Sequence, residues 1–96
     1  MKPYRLHRKA EEEYVQAAEY YARISPALAQ RFYSAIESLI ADVCARPTLY
    51  RRHLGEVRRH FSTTFPYGIL YRDLPNEIRI LAIMPLRRDP KYWQDR

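Results

Sequence analysis

Two arginine pairs supply the side chains best suited to act on another molecule. Arg58-Arg59 follows Val57, and Arg87-Arg88 precedes Asp89-Pro90 and the aromatic pair Tyr92-Trp93. Arginine makes up 14 of the 17 basic residues. Its guanidinium is a planar fork of donors matched to phosphate and carboxylate, so this bias leans toward an anionic partner. Arginine beside aromatic rings is also the usual make-up of an interface hot spot. An acidic protein would satisfy these donors as well as nucleic acid would, and a solvated basic face needs no partner at all. Trp93 has two possible roles: joining such a surface, or folding back to close the core.

Other chemistry finds little support in the residues. His7, His53, His60 and Cys44 lack metal-ligand spacing, and no cofactor is expected. There is no G-x-S-x-G and no glycine-rich phosphate loop, and the chain holds only two glycines. His60 would serve either as a base on an open sheet face or as a plain surface histidine. Glu11, Glu12 and Glu13 read as a solvated first helical turn, where the helix dipole favours negative charge. The net charge of +6 is uneven: residues 1–50 carry +1 and residues 51–96 carry +5.

The arginine pairs must be placed by strands. V-R-R-H-F, F-P-Y-G-I-L-Y-R and E-I-R-I-L-A-I-M are rich in β-branched and aromatic residues. Ser62-Thr63-Thr64 and Asp73-Leu74-Pro75-Asn76 separate them, and links that short suit antiparallel neighbours. Alternation puts Val57, Arg59 and Phe61 on one face and Arg58 and His60 on the other. One arginine is then free to anchor a partner while the other pairs with an acid such as Glu19 or Asp42. Tyr67, Ile69 and Tyr71 oppose Gly68, Leu70 and Arg72. Ile78, Ile80, Ala82 and Met84 oppose Arg79, Leu81 and Ile83. One sheet face should pack on helices, and the other should be a shallow surface with a few arginines and aromatics.

Upstream of Val57 the pattern is helical. Pro3 to Leu6 is a short edge-strand candidate. A helix beginning near Arg8 to Ala10 carries the stripe Ala10, Tyr14, Ala17, Ala18, Tyr21, with Tyr20 off its centre, and ends by Ile24. Ser25-Pro26 is an N-cap followed by a first helical position. Leu28, Phe32, Ala35, Ile36, Leu39, Ile40 and Val43 form the next apolar face, and Arg46-Pro47 ends that helix. The two helices should form an antiparallel hairpin. Thr48 to Gly55 reads as a basic, aromatic loop with Tyr50, Arg51, Arg52 and His53.

These readings predict one α+β domain over 1–96: an N-terminal edge strand and a helix hairpin on a three- to four-stranded antiparallel sheet. Cys44 falls on a buried helix face, and a lone cysteine fits a reducing cytosol. No apolar leader or membrane-spanning run is present.

The order of elements, with L-G-E-V-R-R-H-F, F-P-Y-G-I-L-Y and R-R-D-P-K-Y-W, resembles the RelE/ParE superfamily of bacterial toxins from type II toxin–antitoxin modules. The match covers nearly the whole chain. It implies a cytoplasmic growth inhibitor restrained by an antitoxin encoded beside it, one that wraps the toxin with a helical or extended tail. The RelE-like branch cleaves mRNA on the ribosome, which needs a base, an acid and cationic stabilisation of the phosphorane-like transition state. That branch usually carries an Arg three residues before the Tyr that ends its strand, where this chain has Gly68. Many members carry His, Tyr or Arg near the end of the last strand, where this chain has Met84-Pro85. The F-P-Y strand and the R-R-D-P-x-Y-W ending are more similar to the ParE-like branch, which acts against DNA gyrase. The resemblance thus implies a non-enzymatic inhibitor with an acidic, ParD-like antitoxin that alone reaches operator DNA. A RelE-like ribonuclease and an inactive interaction module are the alternatives. Arg58, Arg59, Arg87, Arg88, Tyr92 and Trp93 are the expected target- or antitoxin-binding residues.

Overall fold

A computed structural model describes residues 1–96. A three-residue strand, β1 (Tyr4–Leu6), leads directly into α1 (Arg8–Ile24). His7 caps that helix, its ring Nδ1 accepting from the Lys9 N–H at 3.0 Å. Burial along α1 falls on Ala10, Tyr14, Ala17 and Tyr21, the expected stripe. Ser25 serves two helices. Its N–H donates to the Tyr21 carbonyl, and its Oγ accepts from the Leu28 N–H to cap α2 (Pro26–Ala45). Pro26 occupies the first position, where its missing N–H has no intrahelical partner to lose. α2 buries Phe32, Ile36, Leu39, Ile40, Val43 and Cys44. Cys44 is an unpaired thiol, and burial raises its pKa.

The sheet contains β2 (Arg52–Leu54), β3 (Val57–Phe61), β4 (Tyr67–Asp73) and β5 (Ile78–Pro85), in the order β1-β5-β4-β3-β2. Every pairing is antiparallel except β1 with β5. The α+β class, edge strand and helix hairpin are as expected, but the sheet has five strands and is mixed. Its extra strand, β2, lies inside the stretch expected to be loop. Three residues are too few to show alternation, and Gly55 at φ 56° makes the turn into β3.

Aromatic side chains fill the core between helices and sheet. Tyr21 and Tyr67 flank Phe32 with ring centroids 5.0 and 5.2 Å away, and Phe65 sits edge-on to Phe32 at 5.3 Å. Tyr71 is fully buried and donates to the Pro47 carbonyl at 2.7 Å, and burial pushes its hydroxyl pKa up to about 12.

Alternation breaks once, in β5. Leu70 pairs with Ala82 while Tyr71 pairs with Ile80, so Leu81 is an extra residue in a bulge. Ile78, Ile80 and Ile83 consequently pack under the helices. Leu81, Ala82 and Met84 all pack on the opposite face. The expected grouping of Ala82 and Met84 with Ile78 and Ile80 is therefore corrected by a one-residue slip.

The opposite face is not the shallow open surface expected. Val57, Leu70, Leu81, Ala82, Met84 and Trp93 form a second, smaller core, with Phe61 and Tyr92 at its margin. The segment from Asp89 to Arg96 folds back across the sheet to close it. Trp93 is only 4% exposed, and its indole N–H donates to the Pro90 carbonyl. Of its two possible roles Trp93 takes the structural one, and its expected place on a binding surface is corrected. No helix is long and apolar enough to cross a membrane.

Candidate functional site

The chain leaves β5 at Pro85 and crosses above the open ends of β4 and β5. The Leu86 N–H donates to the Pro66 carbonyl at 3.0 Å, and the Arg88 N–H closes a turn on the Pro85 carbonyl at 3.0 Å. This turn holds Arg87 and Arg88 exposed at one side of a cleft of about 490 Å³. α1 supplies the facing wall with Glu13, Gln16 and Tyr20, and Tyr67, Ile83 and Pro85 supply the floor. Tyr20 is 52% exposed, which suits its position off the buried stripe.

Arg87 and Arg88 form no ion pair within the chain. The Arg88 guanidinium carbon instead lies over the Tyr92 ring, 4.1 Å from its centroid, a cation–π arrangement. Burial and the neighbouring Tyr20 raise the Tyr67 hydroxyl pKa, with the Arg87 charge opposing them. Tyr21 is raised by burial and by Tyr67, again against Arg87. These hydroxyls therefore remain neutral donors and acceptors at physiological pH.

Glu13 is the one carboxylate at the cleft, and it is not solvated as expected. Its Oε1 accepts from the Ile83 N–H at 3.1 Å and from Arg96 at 2.8 Å. Its Oε2 accepts from the Tyr92 hydroxyl at 2.6 Å and from Arg96 at 2.9 Å. Burial and the bond to Glu13 push the Tyr92 hydroxyl pKa far above its ordinary value. A carboxylate holding four donors has no spare lone pair with which to accept a substrate proton. The cleft thus offers cationic and neutral hydrogen-bond donors together with aromatic surface, which is binding chemistry.

The expected site residues divide between three places. Arg87 and Arg88 line the cleft, and Tyr92 lies outside its lining, with its ring against the Arg88 guanidinium. Arg59 lies over Phe61 at 5.1 Å, at the margin of the second core. Arg58 points to the opposite face and donates to the Tyr50 carbonyl at 2.7 Å. The acid suggested for an arginine, Asp42, is taken by His60 at 2.8 Å, and the His60 ring stacks on Tyr50 at 3.9 Å. His60 is thus turned onto α2 rather than an open sheet face. Glu13, Gln16 and Tyr67 were not anticipated at the site. Only Tyr20 carried a signal, as an aromatic residue off the apolar stripe.

Gly68 has a structural explanation. A Cβ there would lie 2.0 Å from Phe61 Cδ1 and 2.7 Å from Cε1, so the opposing ring occupies the space of any side chain. Phe61 and Gly68 are directly paired across β3 and β4.

Comparison with known proteins places this architecture. No curated protein sequence matches the chain. A solved structure described as "Chromosomal ParDE TA system from P. aeruginosa" superposes with a TM-score of 0.78 at 21% identity, covering 88% of this chain and 96% of that one. At that identity the likeness establishes the fold. The family described as "ParE toxin of type II toxin-antitoxin system, parDE" matches residues 4–90, from β1 through the arginine turn. The chain belongs to the ParE toxin family of type II toxin–antitoxin systems.

Proposed function

We propose that residues 1–96 act in the cytoplasm as one toxin domain that arrests growth by binding DNA gyrase rather than by catalysis. The observation that carries this reading is the cleft. Two guanidiniums without an intrachain ion pair stand there beside tyrosines, with the only local carboxylate saturated. Gly68 under Phe61 and Pro85 at the strand end argue against a proton-transfer set. General acid–base groups typically contribute about 10²–10⁴-fold to a reaction, and such cleavage depends on them.

The restraining partner in this reading is an acidic, ParD-like antitoxin, which alone contacts operator DNA. Exposed Tyr4, Val15, Tyr20 and Tyr33 leave apolar surface for it to cover. A partner that folds over such a surface would bind tightly. Expression of the chain alone should arrest bacterial growth, and co-expression with the adjacent reading frame should restore it.

The deciding experiment adds purified protein to a gyrase supercoiling assay and, separately, to translating ribosomes. Inhibition of gyrase without mRNA cleavage is expected. Arg87→Ala with Arg88→Ala should weaken inhibition by about 30-fold or more, the equivalent of one hot spot of about 2 kcal/mol. His60→Ala should leave it intact. Codon-positioned mRNA cuts abolished by His60→Ala would replace this reading with that of an enzyme.

A further inference from the structure

We infer that Glu13 is the positioning residue for the arginine turn, acting on Arg88 through Tyr92. This rests on the reading of Arg87 and Arg88 as target contacts, and it names a residue of α1 that controls them.

The argument begins at the edge of β5. β1 pairs with β5 only as far as Leu6 opposite Ile80. Beyond that point the β1 side of β5 has no strand partner. Glu13 accepts the Ile83 N–H there, and Arg96 donates to the Leu81 carbonyl at 3.0 Å. The Glu13–Arg96 pair thus stands in for the missing strand, bonded to each other by two bonds and to the edge by one each. Its side chains are 17% and 8% exposed, so solvent screens it less than a surface pair.

The same carboxylate also fixes the far end of the turn. Ile83 precedes Arg87 and Arg88 along the chain, and Tyr92 follows them. Glu13 holds both, closing the base of the segment with one side chain. Tyr92 then offers its ring to the Arg88 guanidinium at 4.1 Å. A short, charge-assisted bond of 2.6 Å fixes the ring's hydroxyl end. The path is Glu13 carboxylate, Tyr92 hydroxyl, Tyr92 ring, Arg88. Other ties also hold the segment: Leu86 to Pro66, His53 to the Pro90 carbonyl at 2.9 Å, Trp93 in the second core, and Arg96, whose guanidinium lies 4.9 Å from the Tyr92 ring centroid. None of them accepts from the Tyr92 hydroxyl, which donates to Glu13 alone.

The test uses the full chain carrying Glu13→Gln, which keeps side-chain volume but removes the charge that holds Arg96. Hydrogen exchange is followed by mass spectrometry across the chain, and gyrase inhibition is measured on the same samples. Exchange over residues 86–96 should accelerate by roughly ten-fold or more, while α2 and β3 keep wild-type protection. Inhibition should weaken by roughly five-fold or more, and adding Glu13→Gln to Arg88→Ala should cost less than about two-fold beyond Arg88→Ala alone. Tyr92→Phe, which keeps the ring and removes the hydroxyl, should reproduce the loosening. If Glu13→Gln fails to fold, Tyr92→Phe, which removes only the hydroxyl that Glu13 accepts from, is held to the same result. Wild-type exchange over 86–96 in the variant would overturn the inference, as would fully additive losses with Arg88→Ala. The exchange measurement needs no target. A loosened segment in a chain that never inhibits gyrase would refute the target and leave the role of Glu13 in ordering the turn intact.

Discussion

Gly68 shows how much one missing side chain can organise. Its partner Phe61 lies over it, and Arg59 lies over Phe61 in turn. Gly68→Ala should therefore cost about 1–3 kcal/mol as an overpacked contact. Phe61→Val in the same chain should recover part of that loss by removing the ring. Urea denaturation of the two single variants and the double variant checks this. Equal losses in Gly68→Ala with and without Phe61 would show that the ring is not the obstacle. At this scale the sequence was informative about Arg87, Arg88 and Tyr92, which the structure brings together. It misread Glu13 as solvated, because three adjacent glutamates in a first turn look alike. The partners that distinguish Glu13 stand 70, 79 and 83 positions away along the chain.

Elements were legible where a period and a cap agreed. Ala10, Tyr14, Ala17 and Tyr21 announced α1, and Ser25-Pro26 marked the start of α2 to the residue. β5 was legible as a strand but not in its facing. Residues 80–84 are apolar on both sides, so the slip at Leu81 leaves no trace in the pattern. The start of α1 carries a pH-dependent contact. His7 Nδ1 must be unprotonated to accept from the Lys9 N–H. Its pKa is lowered from 6.5, first by desolvation and then by Arg96, Arg79, Arg8 and Lys9. The unfolded chain thus takes up this proton first as pH falls, so the contribution is present above about pH 6.5 and lost below it. The midpoint of thermal unfolding should drop between pH 7.5 and 5.5. His7→Asn, which keeps a capping oxygen and cannot titrate, should flatten that slope. An unchanged slope would place the pH dependence elsewhere.

On the scale of the whole molecule, the sheet is covered on both sides, by helices on one and by its own C-terminal segment on the other. Trp93 is the centrepiece of that second cover. Trp93→Ala should destabilise the fold by about 3–5 kcal/mol, whereas Arg87→Ala should leave stability nearly unchanged and alter only inhibition. Thermal unfolding compared with the gyrase assay separates the two. A chain cut before Asp89 would lose activity through lost packing, so truncation alone says nothing about contacts made by the tail. The seat of Gly68 beneath Phe61 also bears on how a molecule of this shape could change its activity over generations. An arginine at position 68 is one substitution away in the chain, yet the Phe61 ring already fills the space its first carbon needs. Ribonuclease chemistry at that position would require Phe61 to shrink first, and an intermediate without that ring would lose the support beneath Arg59. The path between the two trades is therefore ordered, and its first step carries a penalty without any new activity to select it.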